Sequence, residues 1–285
     1  MVANPSWRLK HENGSDWLLH GQFVYNLSNP AMRRSWIATC IAGTDAGCTG
    51  CFIDQSNDVE NGFGSSPAAV AYSRDHLATL VELNKQLQAR GKYAINNHLG
   101  DSGDHVRAMM IEDFAGSEKC IRLLQNIAER GIIAEVHAGN EYKGKENYSC
   151  AEGGTNDLAA FLIAAGNYSY YHCTDNGFST PAAWPAVPDE WLDWAPEHGF
   201  RLGTPLGRAT RSPSRTGANA SIWRRDFASG THVEFDGGNG NGTIWWADGP
   251  VQVGGTASVD PTTVGAIGCR WETDKPGDRA QVSFP

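Results

Sequence analysis

The stretch GCFIDQSN, residues 50–57, decides how the chain is read. A short apolar run, Cys51-Phe52-Ile53, ends in Asp54, with Gln55, Ser56 and Asn57 behind it. Three apolar residues between Gly50 and Asp54, one aromatic and one β-branched, read as a short buried strand and not a helix, which needs ten or more. A carboxylate at the end of such a strand is either a cap for the next segment or a functional group held by a rigid element. Neighbouring segments decide between these.

Outward from this stretch, strands and helices alternate. QFVYNLSNP (22–30) reads as a strand stopped by Asn-Pro, and AMRRSWIATCIA (31–42) as the helix after it. SRDHLATLVELNKQLQARG (73–91) predicts an amphipathic helix with Leu77, Leu80, Val81, Leu83 and Leu87 on one face and Gly91 at its stop. KYAINNHLGD (92–101) and AMMIEDF (108–114) read as strands. GSEKCIRLLQNIAERG (116–131) reads as a helix capped by Ser117 and ended by Gly131. IIAEVHAG (132–139) is a strand, GGTNDLAAFLIAAG (153–166) a helix capped from Thr155 or Asn156, and NYSYYHCTD (167–175) a last strand. Repeated β-α units predict a parallel sheet, either doubly wound or closed as a (β/α) barrel.

The strand ends favour the barrel. Asn26, Asp54, Asn96-Asn97-His98, Glu112-Asp113, His137 and His172 all fall at or near them. In a barrel those ends converge on the face that carries the site. No G-x-G-x-x-G follows a strand, against a dinucleotide fold. The expected fold is α/β, a (β/α)8 TIM barrel that lacks its first two strands, since six strands are countable, with a β-rich C-terminal extension. Residues 1–180 are the expected partial barrel. Residues 181–285 are a Trp/Pro-rich loop followed by a β-rich region, in which SIWRRDFASGTHVEFDGGNGNGTIWWADG (221–249) turns at Ser229-Gly230 and at the Gly/Asn run, and 265–284 form another hairpin.

Composition removes other classes. The 285 residues carry a net charge of −9 and no Lys/Arg block, so nucleic acid and membrane surfaces are not expected partners. No apolar run reaches the roughly 20 residues of a membrane span. Seven Cys leave at least one free thiol, and Cys48-x-x-Cys51 stands alone, without a second pair to make a zinc site. Six N-x-S/T sequons, at Asn13, Asn26, Asn147, Asn167, Asn219 and Asn241, lean toward the secretory pathway.

The ordered strings NPAMRRSWIATC, GCFIDQSN, YAINNHLGD, MMIEDF and WRRDFASGTHVEFD resemble the glycoside-hydrolase-like TIM-barrel families described as hypothetical glycosyl hydrolases. These share an Asn-Pro turn before a helix, a Gly-hydrophobic-hydrophobic-Asp strand, and a β-hairpin near the C-terminus. The resemblance covers roughly residues 20 to 250. In related glycosidase barrels the nucleophile follows the fourth strand and the acid/base the sixth. Those positions correspond here to Asp54 and Glu112. The chain departs from the pattern in its start and in Asn-Leu-Ser (26–28), where an Asp is common.

Glycoside hydrolysis needs one carboxyl group to protonate the leaving oxygen and another to attack the anomeric carbon or activate water. The resemblance implies a carbohydrate substrate and no cofactor, with Asp54 as nucleophile and Glu112 as acid/base. Asp113 is a rival, because strand alternation sends only one of the adjacent pair inward. A salt bridge to Arg107 or Lys119 is the structural alternative for Glu112. Asn26, Asn97, His98, His137 and Asp113 are candidate sugar contacts, and Trp184 is a candidate stacking face beside Trp191 and Trp194. Loop fixation and packing are the alternatives for these. Glu135 shares a side with His137 and lies deeper. Convergence of His98, His105, His137, His172 and Asp54 on a metal lacks an H-x-H or H-E-x-x-H spacing, so no metal is expected. From a different class, a non-catalytic carbohydrate-binding or structural barrel fits the same residues. Oligomeric state is not legible.

Overall fold

The computed structural model describes residues 4–11, 13–19, 21–54, 67–97, 106–139, 150–174, 199–216, 220–254 and 269. The chain is an α/β protein. Five strands, β3 (Gly50–Ile53), β4 (Tyr93–Asn97), β5 (Ala108–Phe114), β6 (Ile133–Gly139) and β7 (Ser169–Thr174), follow one another in sequence order across a parallel sheet and alternate with helices. An antiparallel sheet follows. The chain divides into two compact units, Met1–Met109 and Met110–Pro285.

In the first unit, α1 (Pro30–Asp45) begins where Asn29 accepts hydrogen bonds from the backbone N–H of Ala31 and Met32, at 2.9 and 3.3 Å, with Pro30 in the first turn. Helix α2 (Pro67–Gln88) leads into β4 through Gly91, whose φ of +66° suits a residue without Cβ. Its buried stripe is Tyr72, His76, Thr79, Leu80, Leu83, Asn84 and Leu87. Leu77, expected on that stripe, is 40% exposed. Thr79 and Asn84 tolerate burial because each side chain donates to a carbonyl one turn back, Asp75 and Leu80.

The sixth expected parallel strand is corrected. Gln22–Phe23 (β2) pairs antiparallel with Leu18–Leu19 (β1), turning through Gly21 at φ +77°. Val24 donates to the Trp17 carbonyl and accepts from Leu9 N–H, while Tyr25 bridges Arg8. With these groups used locally, the segment has little left to offer a parallel neighbour. Leu9, Leu27 and Tyr72 form a small core here, with Trp17, Val24 and Trp36 against it.

In the second unit, α3 (Glu118–Glu129) is capped by Ser117, which accepts from Cys120 N–H at 3.2 Å, and it ends before Gly131 at φ +67°. Helix α4 runs Cys150–Ala164. The expected start at Thr155 or Asn156 is therefore corrected by about a turn and a half. Residues 158–164 of α4 are buried without interruption. The reason is that α4 packs on β6 and β7 and also under the antiparallel sheet, so no face is left to solvent.

That sheet has the order β12-β11-β10-β9-β8, built from β8 (Thr210–Pro213), β9 (Ser221–Asp226), β10 (His232–Asp236), β11 (Asn241–Trp245) and β12 (Val251–Val253). Its turns fall at Ser229-Gly230 and at Gly237–Gly240, as the sequence predicts. The hairpin expected over 265–284 lies outside the described residues, Cys269 aside. Helix and sheet are fitted closely. Asn156 accepts from Gly242 N–H at 2.8 Å, and a Cβ on Gly242 would collide with that of Ala159. Arg225 donates to the carbonyls of Leu162, Ile163 and Ala165 and so caps the end of α4.

Disulfides join Cys40 to Cys51, Cys120 to Cys269 and Cys150 to Cys173, and leave Cys48 as an exposed free thiol. No helix among the described residues is long and apolar enough to cross a membrane.

Candidate active site

In the first unit, strands β3 and β4 pair with Cys51 beside Ala94, Phe52 beside Ile95 and Ile53 beside Asn96. Alternation then divides the pair into two sides. Cys51, bonded to Cys40 of α1, marks the helix side, which also carries Ile53, Ala94 and Asn96. The other side carries Phe52 and Ile95, and the next residues along it are Asp54 and Asn97. There the Asn97 side-chain amide donates to Asp54 Oδ1 at 2.9 Å. Asp54 itself is exposed, whereas Asn97 is 1% exposed. Among the described residues, Asn97 Oδ1 has no hydrogen-bond partner. A buried amide thus orients a solvent-facing carboxylate at the C-terminal end of a parallel strand.

The second unit repeats the division. On β6, Ala134, Val136 and Ala138 are buried, and Ala138 lies beside Cys173 of β7, which is bonded to Cys150 of α4. The opposite side carries Glu135 beside Tyr170 and His137 beside His172. His137 Nε2 lies 3.3 Å from Glu135 Oε1, and the His137 and His172 rings meet edge-on with centroids 6.3 Å apart. The hydrogen bond from His137 holds the Glu135 carboxyl below its ordinary range. Coulombic attraction to both rings adds to this, and burial opposes it.

Two of the sequence candidates therefore come together, Asp54 with Asn97. A third, His137, meets Glu135 and His172. The sequence places Glu135 on the side of His137 as the deeper residue, and His172 at a strand end on the site face, without pairing it with His137. Period-two spacing shows the first relation. The second needs the strand partner and its register. Glu112 is half-buried on β5, two residues before its end. Asn26 is corrected: it follows β2 in the N-terminal hairpin region, where its N–H donates to the Trp7 carbonyl, and it does not end a strand of the parallel sheet. His98, His105, Trp184, Trp191, Trp194 and the side chain of Asp113 lie outside the described residues.

The family model described as hypothetical glycosyl hydrolase family 15 matches residues 2–231. No curated protein matches the chain. Among solved structures, the chain is similar to the glycoside hydrolase domain of PelA from Pseudomonas aeruginosa, with 16% identity and a TM-score of 0.36, over 56% of this chain and 64% of that one. A variant of that domain gives 17% and 0.35 over the same shares. Eubacterium rectale Amy13B gives 11% and 0.41 over 81% of this chain and 59% of that one. The chain thus spans less than two thirds of the length of each of these structures.

Proposed function

The chain belongs to hypothetical glycosyl hydrolase family 15, and from that premise we propose that it hydrolyses a glycosidic bond in a poly- or oligosaccharide through two carboxyl groups. The parallel sheet is read as an arc of a (β/α)8 barrel, whose strand ends would hold the site. In this reading residues 1–180 carry the chemistry and 181–285 support it.

Asp54 is assigned as nucleophile and Glu112 as acid/base, with Asp113 as the rival of Glu112. The Glu112 carboxyl would donate its proton to the leaving oxygen while Asp54 attacks the anomeric carbon. Water, deprotonated by Glu112, would then release the sugar from Asp54. Asn97, His98, His137 and Trp184 are the proposed sugar contacts. The supporting observation is the hydrogen bond from Asn97 to Asp54, which aims an exposed carboxylate from a rigid strand end. Three disulfides and six sequons support an oxidising, secretory setting.

The test is turnover of aryl glycosides and oligosaccharides by Asp54→Asn and Glu112→Gln, with melting temperature measured alongside. Asp54→Asn should lose activity on every substrate with its fold intact. Glu112→Gln should lose least on aryl glycosides with good leaving groups, which need little protonation. Near-normal turnover in folded Asp54→Asn would overturn the assignment and favour a carbohydrate-binding barrel without catalysis.

A further inference from the structure

The antiparallel sheet has one side against α4 and a second side that the hydrolytic site does not use. Trp223, Val233, Phe235 and Ile244 are buried on the first. On the second, one cross-strand row runs Asp226, His232, Trp245, Val251 over β9 to β12. It spans three inter-strand steps of about 4.8 Å, roughly 14 Å. The adjacent row on the same side contains Arg224 beside Glu234.

The chemistry of these rows is specific. Trp245 is 38% and Val251 55% exposed, which leaves an apolar strip along β11 and β12. Beside it, His232 Nδ1 lies 2.6 Å from Asp226 Oδ1, and the His232 ring is 5.1 Å from that of Trp245. A ring nitrogen donating to a carboxylate leaves the other nitrogen turned away from it, fixed in orientation. Arg224 Nε donates to Glu234 at 2.7 Å. Both acids of these rows thus have a basic partner, so the surface offers polar groups in place and little unbalanced charge.

A ligand that matches must have an apolar face next to a polar edge and no net charge. A pyranose ring has both, through its axial C–H groups and its equatorial hydroxyls. With both acids paired, these rows offer no excess positive charge to hold an anionic polymer, and the whole chain carries −9. We infer that the outer side of β9–β12 binds an uncharged polysaccharide chain, with a sugar ring stacked on Trp245 and hydroxyls bonded to His232 and the Arg224–Glu234 pair. This is a non-catalytic site. Only the class of ligand is shared with the hydrolase reading.

The experiment is affinity gel electrophoresis of the Asp54→Asn protein through gels containing hydroxyethylcellulose, xylan, laminarin or soluble starch. At least one neutral polymer should retard it. Trp245→Ala in the same background should weaken that retention roughly tenfold or more, and His232→Ala by less. Circular dichroism and melting temperature check that each variant is folded. Wild-type turnover of a short aryl glycoside should be unchanged by Trp245→Ala, so failed turnover removes the hydrolase reading while retention still decides this one. No retention by any of the four polymers overturns the site, as does undiminished retention in Trp245→Ala. Concentration-dependent self-association that Trp245→Ala abolishes also overturns it, by assigning this side of the sheet to a second copy of the chain.

Discussion

The β3–β4 pair and the β6–β7 pair each turn one side to a helix, tied by a disulfide in both cases, and carry polar residues on the other. Cys40–Cys51 ties β3 to α1, and Cys150–Cys173 ties β7 to α4. Opposite those ties stand Asp54 with Asn97, and Glu135 with His137. The difference lies in the partner of the carboxylate. An amide does not titrate, so the group that aims Asp54 is the same at any working pH. The imidazole of His137 adds Coulombic attraction to its hydrogen bond, and the His172 ring adds more, so the hold on Glu135 is electrostatic as well as directional. The first arrangement suits a nucleophile, which must be fixed. The second suits a substrate contact.

The largest effect that would break this comparison is catalytic. Asp54→Asn should lower kcat on the order of 10³-fold or more, as loss of a required nucleophile does. Glu135→Gln should lower it less than about tenfold, as expected for a contact and not for a reacting group. Equal losses in the two variants would move the nucleophile assignment into question.

A second measurement concerns the helix sides, which the comparison treats as equivalent. Replacing Cys40 and Cys51 together by Ala, or Cys150 and Cys173 together by Ala, should cost about 3 kcal/mol each in the chain-entropy account. The cost should be slightly larger for the second pair, which closes a separation of 23 residues against 11. Urea midpoints check this. A negligible change for either pair would show that its tie is not a comparable constraint.

Third, Asn97→Ala removes the donor to Asp54 and leaves the carboxylate in place. A misaimed reacting group costs roughly 10²-fold, so kcat should fall by about that amount, with a smaller rise in KM from the lost sugar contact. A change in KM alone would identify Asn97 as a sugar contact and remove its role in aiming Asp54.

Much of this arrangement is legible in the chain, and the limits are physical. Asn29-Pro30, Ser117, Gly91 and Gly131 mark helix ends because capping is a local rule, satisfied within a few residues. Asp54 is legible as a strand end for the same reason. Asn97 is legible as polar and terminal, but its partner lies 43 residues away and depends on strand register. Asn156 has the composition of a cap, yet it sits inside α4 and serves Gly242, 86 residues on. Leu77 follows the apolar rule and is exposed, while Asn84 violates it and is buried, its amide nitrogen donating to the Leu80 carbonyl one turn back. The segment around Gln22–Phe23 has strand composition, and composition does not reveal which neighbour takes its hydrogen bonds.

The smallest expected effect is the most direct probe of the difference between the two pairs. Glu135 is held below the ordinary carboxylate range chiefly by its hydrogen bond from His137. A group whose pKa is depressed on folding contributes stability that is present above its unfolded value and is lost as pH falls through the folded value. Wild-type protein should therefore keep this contribution at neutral pH and lose it in the acid range, below the usual glutamate titration. His137→Phe removes the donor and one of the two attracting rings. Glu135 should then titrate at higher pH, seen by carbon NMR of its carboxyl. Because the side chain is 41% exposed, water screens much of the interaction, and the change in the urea midpoint should be small. If the Glu135 titration stays unchanged in His137→Phe, the imidazole is not what holds that carboxylate. The two pairs would then differ in residue type and not in proton chemistry.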